Sequence, residues 1–237
     1  MNLFADEELE LPAIEPSAER PVDMSAPLPA RLRPRHFDEF AGQKHLVGPD
    51  APLRRAALAD RVPSSIFYGP AGVGKTTLAR LLATLTRSHF EDFSAITGGV
   101  ADVRRIVGEA KKRKTSGQRT LLFVDEIHRF NRAQQDAFLP NVEEGTLVLL
   151  GATTENPLAS LNTPLLSRCR LFAFEPLDDD DIVALLKRAF DDERGLKSLE
   201  LKPEEAALDY LARGAAGDAR LALGALEMAA DLAHNGV

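Results

Sequence analysis

The stretch Ser65-Ile66-Phe67-Tyr68-Gly69-Pro70-Ala71-Gly72-Val73-Gly74-Lys75-Thr76-Thr77 decides how the rest of this 237-residue chain is read. A short apolar run ends at Tyr68, a glycine-rich turn follows, and a helical run extends from Thr77 to Arg87. Residues 69–76 match the pattern G-x-x-x-x-G-K-[ST] in the strand–turn–helix context that this pattern needs. The glycines let successive backbone N–H groups face one phosphate without Cβ clashes. The helix N-terminus adds about half a positive charge at the same place. Gly69, Pro70, Ala71, Gly72, Val73, Gly74, Lys75, Thr76 and Thr77 are therefore the expected ATP-binding residues. Lys75 is expected to reach the β- and γ-phosphates, and the Thr76 hydroxyl to ligate Mg²⁺.

Working outward, short apolar runs alternate with helical stretches. Candidate strands are Ser65–Tyr68, Phe93–Ile96, Leu121–Val124, Leu147–Leu150 and Leu171–Phe174. Continuous apolar runs suit strands buried on both faces, so the pattern predicts a five-stranded parallel sheet in an α/β fold. The run Leu121–Val124 carries Asp125 and Glu126 to a strand's C-terminal end, where open α/β sheets bind ligands. Asp125 is expected to hold Mg²⁺, and Glu126 to take a proton from an attacking water, which argues for hydrolysis. Asp125-Glu126-Ile127-His128 also spells the D-E-x-H of two-lobed helicases, but those need a second sheet domain for which this chain has no room. His128 reads as a polar residue at the start of a loop.

After Pro176 no strand signal appears, and three helical runs predict a small helical domain over 177–237 behind an α/β domain over 27–176. The first run opens with acidic Asp178 to Asp181, matched to the helix dipole. Pro203 stands where the first helical position of the second run is expected, and the third runs from about Asp218 to His234.

Apolar residues make up 44% and charged residues 27%, as in soluble globular proteins. No stretch of 18 uncharged apolar residues occurs, and the N-terminus does not read as a secretory signal. With its one cysteine, Cys169, the chain reads as cytoplasmic. Cys169 lies between two arginines, a charge environment of the sign that lowers a thiol pKa, but redox sensing is not expected of it.

The net charge is −7, and residues 1–26 carry most of it, with seven acidic groups against Arg20. That proline-containing segment reads as a disordered tail. Val103 to Arg119 holds seven basic residues against Glu109. Its helix has an apolar stripe at Val100, Val103, Ile106, Val107 and Ala110, and sets Arg104, Arg105, Lys111 and Lys112 on another face. Such a face suits DNA phosphates. The absence of interleaved aromatic residues gives no support to base stacking.

Taken together, these motifs resemble the AAA+ ATPases, in particular their clamp-loader clade. Leu32-Arg33-Pro34, Phe37-Asp38-Glu39-Phe40 and Gly42-Gln43 resemble the segment that wraps the adenine base, which adds Gln43 to the expected nucleotide contacts. Gly151-Ala152-Thr153-Thr154 resembles the first sensor region, with Thr154 favoured and Asn156 next for orienting the lytic water. Ser167-Arg168-Cys169 resembles the arginine-finger motif, acting on a neighbouring subunit's γ-phosphate, and Gly217-Asp218-Ala219-Arg220 resembles the second sensor on the lid. The blocks Asp125–Asn131, Gln134–Pro140 and Gly151–Pro157 resemble a branch of DNA-dependent ATPases of stalled replication forks and recombination, which work with single-strand-binding protein. The resemblance implies self-association through the ATPase interface and a nucleoid-associated location. Members continue into a C-terminal tetramerising domain, whereas this chain ends at Val237. A clamp-loader-like assembly subunit and a Holliday-junction branch-migration motor are the alternatives that the same motifs suggest.

Overall fold

A computed structural model of the chain describes residues 23–95 and 99–234. Most of the acidic tail lies outside the described residues, as does Ile96. Five strands form one sheet: β1 (Ser65–Tyr68), β2 (His89–Ser94), β3 (Thr120–Asp125), β4 (Leu147–Thr153) and β5 (Arg170–Ala173). Their order is β2-β3-β4-β1-β5, and every neighbouring pair is parallel.

Alternation along β3 shows how the sheet is covered. Leu121 and Phe123 join one apolar cluster with Leu78, Leu81 and Leu82 of the helix Lys75–Thr84. Leu122 and Val124 join the opposite cluster with Val103, Ile106 and Ala110 of the helix Val100–Thr115. Complete burial of side chains such as Phe67 and Phe123 contributes roughly 1.5–3 kcal/mol each. The registers Tyr68↔Thr153 and Val124↔Gly151 bring the C-terminal ends of β1, β3 and β4 side by side.

Several element boundaries differ from expectation. The helix expected over Thr77–Arg87 runs over Lys75–Thr84, and β5, expected over Leu171–Phe174, runs over Arg170–Ala173. β2 begins at His89 rather than Phe93. It is an edge strand whose charges are paired, Asp92 with Arg80 and Glu91 with His89, so polar residues are tolerated where an apolar run was sought. β4 continues past Leu150 to Thr153. Gly151 fits there because a Cβ would press on Ile66 and Ile127 at 2.8–2.9 Å. Pro203 precedes the N-cap Glu204 of the helix Glu205–Ala215 instead of occupying its first turn.

The helices Asp179–Asp191, Glu205–Ala215 and Ala219–His234 enclose a third cluster, built on Ile182, Leu186, Leu208 and Leu226. Asp178 caps the first of them by accepting from the Asp181 N–H. Leu28 and Leu32, counted with the α/β part in the sequence, are buried in this helical cluster instead. Glu227 anchors them by accepting from the Leu28 N–H at 2.9 Å and from Arg31 at 3.0 Å.

Candidate nucleotide site

Above the C-terminal ends of β1, β3 and β4 lies a cavity of about 400 Å³. Its walls include Ala71 to Thr77, Asp125, Glu126, Thr154 and Arg220, together with Arg33, Pro34 and Phe40. The turn that starts the site is shaped by positive φ angles at Gly69 (147°), Gly72 (71°) and Gly74 (102°). A Cβ on Gly69 would run into the Phe174 carbonyl, and one on Gly72 into the Asp218 carboxylate. The loop is therefore glycine-rich both for its conformation and for the close approach of β5's exit and the helical domain.

Lys75 is buried, and its Nζ donates to the carbonyls of Gly69 (2.8 Å) and Pro70 (2.5 Å). Burial pushes its ammonium below the usual lysine range, while Glu126 and Asp125 pull the other way. An arriving polyphosphate would offer this cation the countercharge that two neutral carbonyls do not. Thr76 and Thr77 begin the helix beside it.

Asp125 ends β3, and its Oδ1 accepts from the Glu126 N–H at 3.1 Å. Among the described residues no three His, Cys, Asp or Glu side chains form a group able to hold a metal ion by themselves. Thr76 and Asp125 in one wall fit instead a hard cation that takes its remaining ligands from phosphate and water, as Mg²⁺ does.

Thr154 and Asn156 part company. Thr154 lies in the cavity wall, whereas Asn156 caps the short helix Pro157–Ser160 by accepting from the Leu158 N–H at 3.0 Å. Gln43 is also corrected: it is buried outside this cavity, with Nε2 donating to the Glu175 carbonyl (2.6 Å) and Oε1 accepting from the Glu175 N–H (3.1 Å). Both ends of its amide are spent on backbone 132 residues away, so it ties the lead-in segment to the sheet. The neighbouring Arg33, Pro34 and Phe40 do face the cavity.

Arg220 reaches the cavity from the first turn of the helix Ala219–His234. Asp218 caps that turn, accepting from the N–H groups of Arg220 (2.8 Å) and Leu221 (2.9 Å). Arg168 is exposed on the turn before β5 and lies outside the cavity. Its Nε donates to Glu143 at 2.6 Å and its Nη1 to the Pro164 carbonyl at 2.6 Å.

On the helix Val100–Thr115, Arg104, Arg105, Lys111 and Lys112 are all exposed. Lys112 pairs with Glu109 at 2.9 Å, and Arg113 turns toward Glu91. Burial pushes the Cys169 thiol up to about 12, so desolvation outweighs the flanking arginines, both of which point outward. His128, read as a loop residue, bonds to Thr153 and contacts Glu126. Thr153 was not singled out in the sequence. The apolar run stops at Leu150, but alternation continued to Thr153 would have pointed there.

Residues 65–177 match the family model described as "ATPase family associated with various cellular activities (AAA)". The chain is 46% identical over 208 residues to replication-associated recombination protein A of Haemophilus influenzae, covering 87% of this chain and 47% of that protein. It is 44% identical over 209 residues to replication-associated recombination protein A of Escherichia coli K12, covering 88% and 47%. The chain thus spans about half the length of the curated relatives it matches. Among solved structures it resembles the Thermotoga maritima RuvB Holliday junction branch migration motor, at 27% identity and a TM-score of 0.71. That likeness covers 85% of this chain and 66% of the motor.

Proposed function

The chain belongs to the AAA ATPase family, and on that premise we propose that it is an Mg²⁺-dependent ATPase acting on DNA at stalled replication forks and in recombination, as the name of its relatives suggests. The observation that carries the proposal is the single cavity in which Lys75, Thr76, Asp125, Glu126, Thr154 and Arg220 meet. Backbone N–H groups of residues 72–76 and the helix N-terminus bind the phosphates. Lys75 exchanges its two loop carbonyls for phosphate oxygens. Arg33, Pro34 and Phe40 enclose the base end. Glu126 accepts a proton from the attacking water, and Thr154 orients that water. Thr76 and Asp125 would hold Mg²⁺, which when bound would neutralise phosphate charge.

Arg168 is exposed and does not line its own cavity, which supports a role on a neighbouring copy's nucleotide. Such an arginine stabilises charge developing in the transition state and is worth about 10³–10⁵ in rate in related phosphoryl transfers. Arg220 acts in cis and links the lid to nucleotide state. Arg104, Arg105, Lys111 and Lys112 take DNA phosphates without reading sequence. Single-strand-binding protein and further copies of this chain are the protein partners, and the cytoplasm, at the nucleoid, is the location. Among the described residues no helix is long and apolar enough to cross a membrane.

Steady-state ATP turnover against protein concentration, with and without a single-strand-tailed duplex, tests the reading. It predicts stimulation by DNA, specific activity that rises with protein concentration, and loss of both in Arg168→Ala. ATP binding without turnover in the presence of DNA would overturn it. The likeness to RuvB favours a second reading, a branch-migration motor. Stimulation restricted to four-way junctions would favour that reading over the first.

A further inference from the structure

We propose that His128 is a positioning residue that holds the Glu126 carboxylate in the cavity wall and ties it, through Thr153, to the end of β4. The proposal rests on the reading of Glu126 as the base. Glu126 itself adopts a left-handed backbone conformation, with φ of 52°. That conformation ends the strand direction of β3 and opens the tight turn Ile127–Arg129. The turn brings the imidazole of His128 back beside the residue that started it.

The resulting contacts form a chain. His128 Nδ1 lies 3.2 Å from Glu126 Oε2 and 2.9 Å from Thr153 Oγ1. Thr153 is fully buried, and its Oγ1 also accepts from the Glu155 N–H at 3.0 Å. On the other side of the ring, Nε2 lies 3.6 Å from Glu155 Oε1. A carboxylate has only acceptors to offer, and a bare imidazole nitrogen facing it would set lone pair against lone pair. The geometry therefore puts a proton on Nδ1, aimed at Oε2 with the threonine hydroxyl as its second acceptor. The His128 side chain is only 11% exposed, so its ring has little freedom to turn away.

The Glu126 side chain is 30% exposed. Its charge also acts on Lys75, but among the described residues His128 is the side chain within ion-pairing distance of the carboxylate, so His128 is the contact that fixes its rotamer. Thr153 ends β4 and bonds to His128, and Thr154, the next residue, lines the cavity. A ligand that moves Thr154 therefore moves Thr153 with it, and the shift reaches Glu126 through His128.

The test compares His128→Ala, His128→Asn, His128→Gln and Thr153→Val in the full chain. A base that loses its orientation loses part of the 10²–10⁴-fold that general-base catalysis contributes, so His128→Ala lowers kcat roughly 10–100-fold and leaves KM for ATP within about twofold. An asparagine amide reaches the Nδ1 position and recovers most of the loss. A glutamine amide reaches Nε2 instead and does not. Thr153→Val lowers kcat by less, and adds little to His128→Ala because the two act in one chain. Equal kcat in wild type and His128→Ala, or equal rescue by Asn and Gln, overturns the proposal. A second readout needs no turnover: long-range ¹H–¹⁵N correlations of the His128 ring. Wild type shows a protonated Nδ1 whose resonance shifts in Glu126→Ala and in Thr153→Val. A bare Nδ1, or one indifferent to both changes, rejects the proposal even if the chain never hydrolyses ATP. Absent turnover with a protonated, responsive Nδ1 rejects only the reading of Glu126 as the base.

Discussion

The two ends of the nucleotide cavity are built on different principles. The phosphate end comes from consecutive residues, Ala71 to Thr77, and from strand ends held by the parallel ladder. The base end comes from Arg33, Pro34 and Phe40 near the start of the described chain and from Leu177, Leu185 and Leu223 in the helical domain. A narrow seam joins the two. The Ala219 N–H donates to the Gly72 carbonyl at 3.2 Å, and the Asp218 carboxylate covers Gly72. Apart from Arg220 the phosphate end is lined by the α/β part, whereas the base end takes Leu177, Leu185 and Leu223 of its lining from the helical domain. Affinity should therefore divide into a local part and a part that reports lid position.

The local part gives the largest expected effect. Lys75→Ala removes a buried cation from the phosphates, a loss of about 3 kcal/mol, or at least a hundredfold in Kd for ATP by calorimetry. Amide exchange in the helix Ala219–His234 stays as in wild type. Faster exchange there would break the separation between the two ends.

Gly72→Ala strikes the seam. A Cβ at φ of 71° costs about 1–2 kcal/mol in strain and also displaces Asp218. ATP binding should weaken about tenfold, with faster exchange at residues 219–223. In an Asp218→Ala background the steric part disappears and the strain remains, so the double mutant falls short of the sum. Strict additivity would show that the carboxylate does not press on the loop.

Asp218→Ala alone is milder. It strips the N-cap from Arg220 and Leu221 at a cost of about 1 kcal/mol, which lowers the thermal midpoint by roughly 2–4 °C in a chain of this size. An unchanged midpoint would mean that water replaces the cap and that the seam depends on its backbone bond alone.

The same division decides what could be read from sequence. A motif of consecutive residues carries its own geometry, so the strand–turn–helix of residues 65–77 and the strand end at Asp125-Glu126 were legible, as were the buried runs of β1 and β3. β5 was found from its apolar run although it is an edge strand with Leu171 exposed. β2 was read four residues late because its acidic residues are satisfied by Arg80 and Arg113 from elsewhere in the fold and by His89 of the strand itself. Gln43 sits in a segment that does line the base end, and only the fold reveals that Glu175 claims both ends of its amide. Leu28 and Leu32 lie about 150 residues before the cluster that buries them. His128 looked like a loop residue because its partner Thr153 is brought to it by the sheet, not by the chain.

Arg168 tests the comparison from outside the cavity and carries the smallest expected effect. Its partner Glu143 is half exposed, and an exposed pair contributes about 0–1 kcal/mol. Glu143→Gln should therefore leave the thermal midpoint within about 2 °C of wild type. Releasing the guanidinium nevertheless removes a competitor for it. If Arg168 serves a neighbouring copy's phosphates, the protein concentration for half-maximal turnover falls by up to about fivefold, the equivalent of that same pair energy. The maximal rate is unchanged, because the assembled site contains the same groups. A fall in maximal rate would instead make Glu143 part of the assembled site, and no shift at all would leave Arg168 a surface arginine with a surface partner.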